Sequence, residues 1–237
     1  MNFGNGVNNG APTPMGAPTP MGAPTPMGGP TPVSNSGVIT LTKGEKIDLS
    51  KAAPSLRRAI VGLGWDARDL GNPGADFDLD ASCFLVHPDG RAYGLQDFIF
   101  YGNLSNSNNS IQHMGDNLTG DGDGDDEQIK INFDTVPSDV DKIVIAITIY
   151  KYFDRKQNFG MVSNAFVRVV NEDNGQEMIH FDLSEDFSTE TAIVAVEFYR
   201  HNGSWKMSAV AQGNVGGLAA IASKYGLNVA DENETKR

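Results

Sequence analysis

Residues 75–82 have the sequence ADFDLDAS, in which acidic and apolar side chains alternate, and this alternation decides the fold of the surrounding chain. In an extended strand, residues two apart lie on the same face, roughly 6.5 to 7 Å from one another. Phe77 and Leu79 therefore share one face and can enter a core, which fixes the register of the strand. The opposite face carries three carboxylates: Asp76, Asp78 and Asp80. The stretch predicts a half-buried β-strand with a row of carboxylates.

This row of carboxylates needs a compensating charge. Strands are depleted in Asp, and like charges on one face destabilise a sheet. No Lys or Arg occurs between Asp69 and Arg91 to supply a positive charge. An ordinary half-exposed strand is the alternative interpretation. The lack of a basic neighbour in the sequence favours a bound cation.

A second acidic segment, residues 115–127 with the sequence GDNLTGDGDGDDE, is here called the acidic loop. It holds six carboxylates in thirteen residues and no Lys or Arg. Its glycines let the backbone curl its oxygens around one point, and its like charges repel unless a cation neutralises them. A solvated acidic loop is the alternative.

We predict that a divalent cation is shared between the strand and the acidic loop, with Asp66 as a ligand from a third segment at the end of a strand. The carboxylates exceed what one ion can use, so two ions are expected. The candidate ligands are Asp66, Asp76, Asp78, Asp80, Asp116, Asn117, Asp121, Asp123, Asp125, Asp126 and Glu127.

The ligand types predict calcium as the cofactor. All of them offer oxygen atoms, and a flexible site rich in carboxylates suits Ca²⁺ better than Mg²⁺, which keeps its waters. Zinc or copper would require imidazole or thiolate, but the four histidines are scattered and Cys83 is the one cysteine. The loop is not an EF-hand, because Asp126 stands where that motif needs Gly and Asn132 where it needs Glu.

Ten apolar and β-branched runs, separated by Gly, Asn and Pro turns, predict an all-β antiparallel sandwich. The runs begin at Val38, Ala59, Asp78, Asp97, Gln128, Lys142, Ala165, Glu177, Thr191 and Trp205. Residues 216–226 alone have a convincing helical spacing, which predicts one closing helix among at most a few short ones. The apolar stripe of that helix comprises Leu218, Ile221, Ala222 and Tyr225.

Residues 1–37 contain no charged side chain, and GAPTPM recurs there from Gly10, Gly16 and Gly22. Frequent Pro removes backbone donors, and the few apolar side chains cannot form a core, so a disordered tail is predicted. The sandwich is expected to span 38–229, followed by a flexible charged C-terminus at 230–237. The tail lacks the basic start and apolar run of a signal peptide.

The net charge of −12 excludes some partners. An acidic protein repels nucleic acid and anionic membrane surfaces, and no segment approaches the length of a transmembrane helix. With one cysteine and no export signal, we expect a cytoplasmic protein.

Two glycine motifs resemble ligand sites. VGLGWDA at 61–67 fits a dinucleotide-binding pattern, but that fingerprint must open a helix and here a GNPG turn follows at 71–74. QGNVGG at 212–217 leads into the predicted helix and offers a weak anion site, with a tight turn as the favoured alternative. No nucleophile elbow or paired-acid spacing emerges, so we do not predict an enzyme.

The body of the chain also contains long, specific motifs between residues 37 and 229. They are LTKGEKIDLSKAAP from Leu41, VGLGWDAR from Val61, DFDLDAS from Asp76, DFIFYGNL from Asp97, GDNLTGDGDGDDE from Gly115, DVDKIVIAITIY from Asp139, KQNFG from Lys156, STETA from Ser188 and YRHNGSWK from Tyr199. Together they closely resemble the TerD family of tellurium-resistance and general stress proteins.

The resemblance implies a calcium-binding β-sandwich, a cytoplasmic role in resistance to tellurite and other stresses, and no established catalytic activity. It favours a non-catalytic module that assembles with other stress-resistance proteins. The family includes members described as binding cyclic AMP, so a calcium-dependent cyclic-nucleotide-binding protein is the alternative. An enzyme acting on tellurium oxyanions is the least favoured interpretation, because Cys83 is a lone thiol within a predicted strand.

Overall fold

A computed structural model describes Met1 and residues 37–230, apart from residues 42–43, 53, 55, 68–73, 121–123, 184–186 and 188. Most of the predicted tail at 1–37 and of the predicted C-terminus at 230–237 therefore lies outside the described residues. Two predicted metal ligands, Asp121 and Asp123, lie outside them as well.

The described residues form twelve β-strands and three α-helices. In chain order the strands are β1 (Ile39–Thr40), β2 (Lys46–Ile47), β3 (Arg58–Gly64), β4 (Leu79–Val86), β5 (Phe98–Ile99), β6 (Ile111–His113), β7 (Glu127–Asn132), β8 (Lys142–Ile149), β9 (Phe166–Asn171), β10 (Glu177–Asp182), β11 (Ala192–His201) and β12 (Ser204–Asn214). The helices are α1 (Leu49–Ala52), α2 (Tyr152–Arg155) and α3 (Gly217–Lys224), and short 3-10 helices span Leu95–Asp97 and Phe159–Met161.

The strands are arranged in two six-stranded sheets. The first has the order β1-β10-β9-β3-β7-β6, and the second has the order β2-β12-β11-β8-β4-β5. Paired strands run antiparallel within the described residues, except that β1 pairs with β10 in parallel. Strand β4 pairs with β8 and the short edge strand β5. It begins at Leu79, so it holds Asp80 of the predicted row of carboxylates, whereas Asp76 and Asp78 precede it.

The main core lies between the two sheets, and a second core lies on the outer face of the second sheet. On β7, Ile129 and Ile131 enter the main core while Gln128 and Lys130, which alternate with them, are half-buried. This is the alternation expected of a strand with one covered face. Strand β4 is buried along its whole length, and Phe84 and Val86 of this strand belong to the second core together with residues of α3. The residues of α3 and its end that fill the second core are Leu218, Ile221, Ala222 and Tyr225.

The predicted fold class, an all-β antiparallel sandwich with a closing helix, is confirmed. Each of the ten predicted runs overlaps a strand, and α3 buries its predicted apolar stripe. Strands β2 and β6 were not predicted, because two or three residues are too few to show a periodic pattern. None of the helices in the described part of the chain has the length and apolar character needed to cross a membrane.

Candidate metal centre

Three aspartates from two distant segments converge at the start of β4. Asp78 and Asp80 belong to the ADFDLDAS stretch, and Asp116 belongs to the acidic loop. One carboxylate oxygen of each lies within 4.8 Å of the others. Asp78 and Asp80 are both 3% exposed, whereas Asp116 is exposed. We call this group the three-aspartate cluster, and its mutual repulsion favours a bound cation.

The alternation along the strand explains how two of these side chains reach the site. Phe77 and Leu79 are buried in the main core, as the sequence predicts. Asp78 and Asp80 therefore point to the opposite face. The backbone of this stretch is fixed on β8, since Tyr150 donates its amide hydrogen to the Asp78 carbonyl at 2.9 Å and Asp80 is paired with Thr148.

A cavity of about 270 Å³ opens beside the cluster. This volume exceeds the roughly 30 Å³ that one water molecule occupies in the liquid, so it can hold an ion together with several waters. Tyr101, Tyr150 and Leu118 line the cavity together with the two buried aspartates. Asp78 and Asp80 are buried, whereas the sequence indicates only a half-exposed strand.

Arg155, at the end of α2, also lines the cavity. Its Nη2 lies 3.2 Å from Asp78 Oδ2, and its Nη1 donates a hydrogen bond to the Asp76 carbonyl at 3.3 Å. The guanidinium also lies over the Tyr150 ring, 5.3 Å from its centroid. With all three carboxylates ionised, these and the one guanidinium carry a net charge of −2. That charge matches one divalent cation.

The donor chemistry of the cluster fits a hard cation. It offers carboxylate oxygens, which suit Ca²⁺ and Mg²⁺, and no imidazole or thiolate belongs to it. Cys83 is fully buried on β4 and belongs to the main core, where burial raises the pKa of its thiol. His113 lies beside Glu127 rather than in the cluster.

Two other predicted ligands lie outside the three-aspartate cluster. Asp76 is exposed, and its carbonyl accepts hydrogen bonds from Arg155 and from Gln157 Nε2 at 3.1 Å. Asp66 is exposed, and its Oδ2 accepts a hydrogen bond from Asn164 Nδ2 at 2.6 Å.

Asp125 is held on the outer face of the first sheet. Its Oδ1 accepts a hydrogen bond from Arg168 Nε at 2.7 Å, and its Oδ2 accepts one from Gln128 Nε2 at 3.0 Å. The hydrogen bond to Asp125 raises the pKa of the Arg168 guanidinium. The Asp125 carboxylate lies directly on Gly62, where any Cβ would overlap it. Gly62 therefore makes room for the acidic loop.

Three residues within the acidic loop, Asn117, Asp126 and Glu127, are linked to one another by hydrogen bonds. Asp126 accepts hydrogen bonds from the Trp65 amide and from Asn117 Nδ2, both at 2.9 Å. Asn117 Oδ1 accepts from the Gly120 amide at 3.2 Å, which shapes the turn. Glu127, at the start of β7, is buried, and burial raises the pKa of its carboxyl group.

The weak anion site predicted at residues 212–217 is a strand-to-helix turn. The amides of Gly216 and Gly217 donate to the Thr191 hydroxyl oxygen at 3.1 and 3.2 Å. A Cβ on Gly213 would meet the Glu190 side chain, so a carboxylate-bearing residue packs against this turn. The Thr191 hydroxyl occupies the position that an anion would take.

The predicted ligands that the structure describes therefore do not all lie in one place. The structure brings Asp78, Asp80 and Asp116 together, and it gives Asp125, Asp126 and Glu127 partners elsewhere. Arg155 is a site residue that the sequence did not indicate. It lies 77 positions from Asp78 in a segment without clear periodicity, so no local pattern could identify it.

Comparison with known proteins identifies the family to which this chain belongs. The sequence model of the TerD domain matches residues 38–225. The chain is 55% identical over 192 residues to the tellurium resistance protein TerD of Serratia marcescens, covering 81% of this chain and 99% of the relative. It is also 55% identical over 191 residues to general stress protein 16U of Bacillus subtilis, covering 81% of this chain and 98% of that protein.

A solved structure shares the fold. It belongs to a homologue of telluride resistance protein (TerD) from Streptomyces coelicolor and aligns with a TM-score of 0.61 at 22% identity. The alignment covers 74% of this chain and all of that structure, so the likeness shows a common sandwich. The family model and the two relatives cover most of the folded body, including both acidic segments. The chain is therefore a member of the TerD domain family, as its motifs predict.

Proposed function

We propose that this chain is a calcium-binding protein that acts without catalysis in tellurium resistance or general stress resistance. One observation carries the metal-binding part of the proposal, namely the convergence of Asp78, Asp80 and Asp116 within 4.8 Å beside a cavity. The names of the relatives supply the biological context, since one is a tellurium resistance protein and another a general stress protein.

Calcium is the cation we favour for this cluster. Ca²⁺ takes six to eight oxygen ligands in irregular geometry, and carboxylates can bind it through one or both oxygens. Three carboxylates, with waters in the adjoining cavity, supply such a set. Mg²⁺ requires a near-ideal octahedron and gives up its waters reluctantly. The predicted second ion would need ligands beyond the cluster, and Asp121 and Asp123 lie outside the described residues.

The site also suggests what a bound ion does. Asp80 and Asp116 lie in different segments of the chain, so an ion held by both joins the start of β4 to the acidic loop. We infer that calcium sets the shape of a surface that other stress-resistance proteins contact in the cytoplasm.

Isothermal titration of the purified full-length protein tests the proposal. We expect heat from Ca²⁺ binding and much weaker binding of Mg²⁺. Asp78→Asn and Asp80→Asn should abolish most of the calcium heat. Asp173→Asn is the matched control, because Asp173 is an acidic residue that pairs with Arg58, outside the cluster. No calcium heat in the wild-type protein, or equal losses in all three variants, would refute the proposal.

Two further experiments test the biological role and the alternative function. A strain lacking the gene should regain tellurite resistance with the wild-type chain and not with Asp78→Asn. Titration of cyclic AMP into the calcium-loaded protein tests the cyclic-nucleotide alternative, and micromolar binding there would favour that function.

A further inference from the structure

We propose that Glu127 is a positioning residue for the metal, which holds the two segments of the three-aspartate cluster at the right separation. This inference rests on the proposed cation binding. Glu127 Oε2 accepts a hydrogen bond from the Ala81 amide at 2.6 Å, and Oε1 accepts one from the Asn117 amide at 3.3 Å. Ala81 directly follows Asp80, and Asn117 directly follows Asp116.

The two amides therefore belong to the residues that directly follow Asp80 and Asp116. The carboxylates of those two aspartates must lie close together to share an ion. Ala81 belongs to β4 in the second sheet, and Asn117 belongs to the acidic loop, while Glu127 belongs to β7 in the first sheet. One side chain thus connects three parts of the fold. Hydrogen bonds to a carboxylate are short when they are strong, and the 2.6 Å bond from the Ala81 amide is short.

The position of the Glu127 carboxylate is itself restrained by the first sheet. Its side chain is fully buried, and β7 is bonded to β3 and β6 on its two edges. A buried side chain on an internal strand has one available position, so the amides it binds are located relative to the sheet. A long exposed side chain would give no such restraint.

His113 contacts the acidic loop on the other side of Asp116 from Asn117. The Gly115 amide donates a hydrogen bond to His113 Nδ1 at 3.3 Å. Nε2 lies 3.6 Å from Glu127 Oε2. His113 and Glu127 together hold the residues on both sides of Asp116, because they contact Gly115 and Asn117.

The contacts of Glu127 differ from those of the proposed metal ligands. Both of its oxygens accept hydrogen bonds from backbone amides, and it is not among the residues that line the cavity. Residues that orient ligands through hydrogen bonds typically change metal affinity 10- to 100-fold when replaced. In Glu127→Gln, the side-chain NH₂ must face one of the two amides, which places a donor against a donor.

The test compares Glu127→Gln with the wild-type full-length protein by calcium titration and by terbium luminescence. Tyr101 and Tyr150 line the cavity, so their excitation should sensitise a terbium ion bound there. We expect Glu127→Gln to weaken both ions about 10- to 100-fold. Its thermal midpoint in chelator should change less than the midpoint with calcium. Glu177→Gln is the control, since Glu177 is a carboxylate of the same sheet that pairs with Arg168 and His180.

Each outcome has a distinct meaning. If the wild-type protein binds neither ion, the proposed function fails before Glu127 is tested. If Glu127→Gln binds like wild type while Asp78→Asn does not, calcium binding stands and the positioning role is overturned. If Glu127→Gln does not fold, amide hydrogen exchange of the wild-type protein tests the positioning role instead. Protection of the Asn117 amide supports the role, and exchange at the rate of an open loop overturns it.

Discussion

The guanidinium of Arg155 lies 3.2 Å from the carboxylate of Asp78, inside the same cavity as the three-aspartate cluster. The chain thus supplies one positive charge where a cation is proposed to bind. Arg155 ends α2, and Lys151 and Lys156 at the two ends of this short helix adopt left-handed backbone conformations. A bound cation and the guanidinium attract the same carboxylate, so they compete for it.

This competition predicts that Arg155→Gln binds calcium more tightly than the wild-type protein. Removing a positive charge a few ångströms from a divalent ion removes repulsion, and we expect a gain on the order of tenfold at low salt. The gain should shrink at 0.5 M salt, because Arg155 is partly exposed and ions screen it. Calcium titration of the two proteins at both salt concentrations measures the effect.

Lys151→Gln is the matched control for Arg155→Gln. Lys151 is a nearby cation that lies over the Tyr150 ring and does not line the cavity. Its replacement should leave calcium affinity within about twofold, since it is not paired with Asp78. Weaker calcium binding by Arg155→Gln would contradict the competition and indicate that the arginine orders Asp78 for the metal.

The sequence predicted ten of the twelve described strands and the convergence of two acidic segments, because both depend on local patterns. A period of two residues identifies the face that carries Asp78 and Asp80, and glycine spacing identifies the acidic loop. The different roles of Asp116 and Asp125 depend on distant residues instead. Arg168, 43 positions away, engages Asp125, and no local pattern reveals that pairing. Charge density alone marks all the carboxylates of the loop as equivalent.

Gly62→Ala should destabilise the protein by about 1 to 3 kcal/mol, which is typical of overpacking a filled space. A Cβ at Gly62 would overlap the Asp125 carboxylate, and that carboxylate is held by Arg168 and Gln128. Urea unfolding measures the change. Gly37→Ala is the control, because open space surrounds Gly37 and its effect should stay within about 0.5 kcal/mol.

A double-mutant cycle tests whether Asp125 is the cause. Asp125→Ala removes the side chain that the new methyl group would meet. The combined change Gly62→Ala with Asp125→Ala should therefore cost less than the sum of the two single changes. Additive losses would show that the glycine is required for a different reason.

The thiol of Cys83 should not react in the folded protein. Cys83 is fully buried, and burial raises the pKa of its thiol, so the neutral form persists when the pH is raised from 7 to 9. Because the thiolate is the reactive form, a thiol-specific reagent should label the native protein very slowly at both pH values. Complete labelling of the one cysteine is expected in guanidinium chloride.

This labelling experiment also bears on the enzyme hypothesis. A thiol that takes part in chemistry on tellurium oxyanions would need to be accessible. Rapid labelling of the native protein, or loss of the thiol on incubation with tellurite, would contradict the structural role assigned to Cys83.

Removing calcium should lower the thermal midpoint of the protein. A ligand that binds only the native state adds about 2.7 kcal/mol at a concentration one hundred times its dissociation constant. For a domain of this size, that corresponds to about 5 to 10 °C. Circular dichroism melts in chelator and in excess calcium measure the difference.

Trp65 should report the same change locally, because it contacts both segments that the ion is proposed to join. Its Nε1 donates to the Phe77 carbonyl at 3.3 Å, and its amide donates to Asp126 at 2.9 Å. In a Trp205→Phe background, which leaves one tryptophan, calcium should shift the emission of Trp65. The background is suitable because Trp205 packs on Phe133, away from the cluster. If the melting curves and the emission spectra with chelator and with millimolar calcium coincide, no ion joins the two acidic segments.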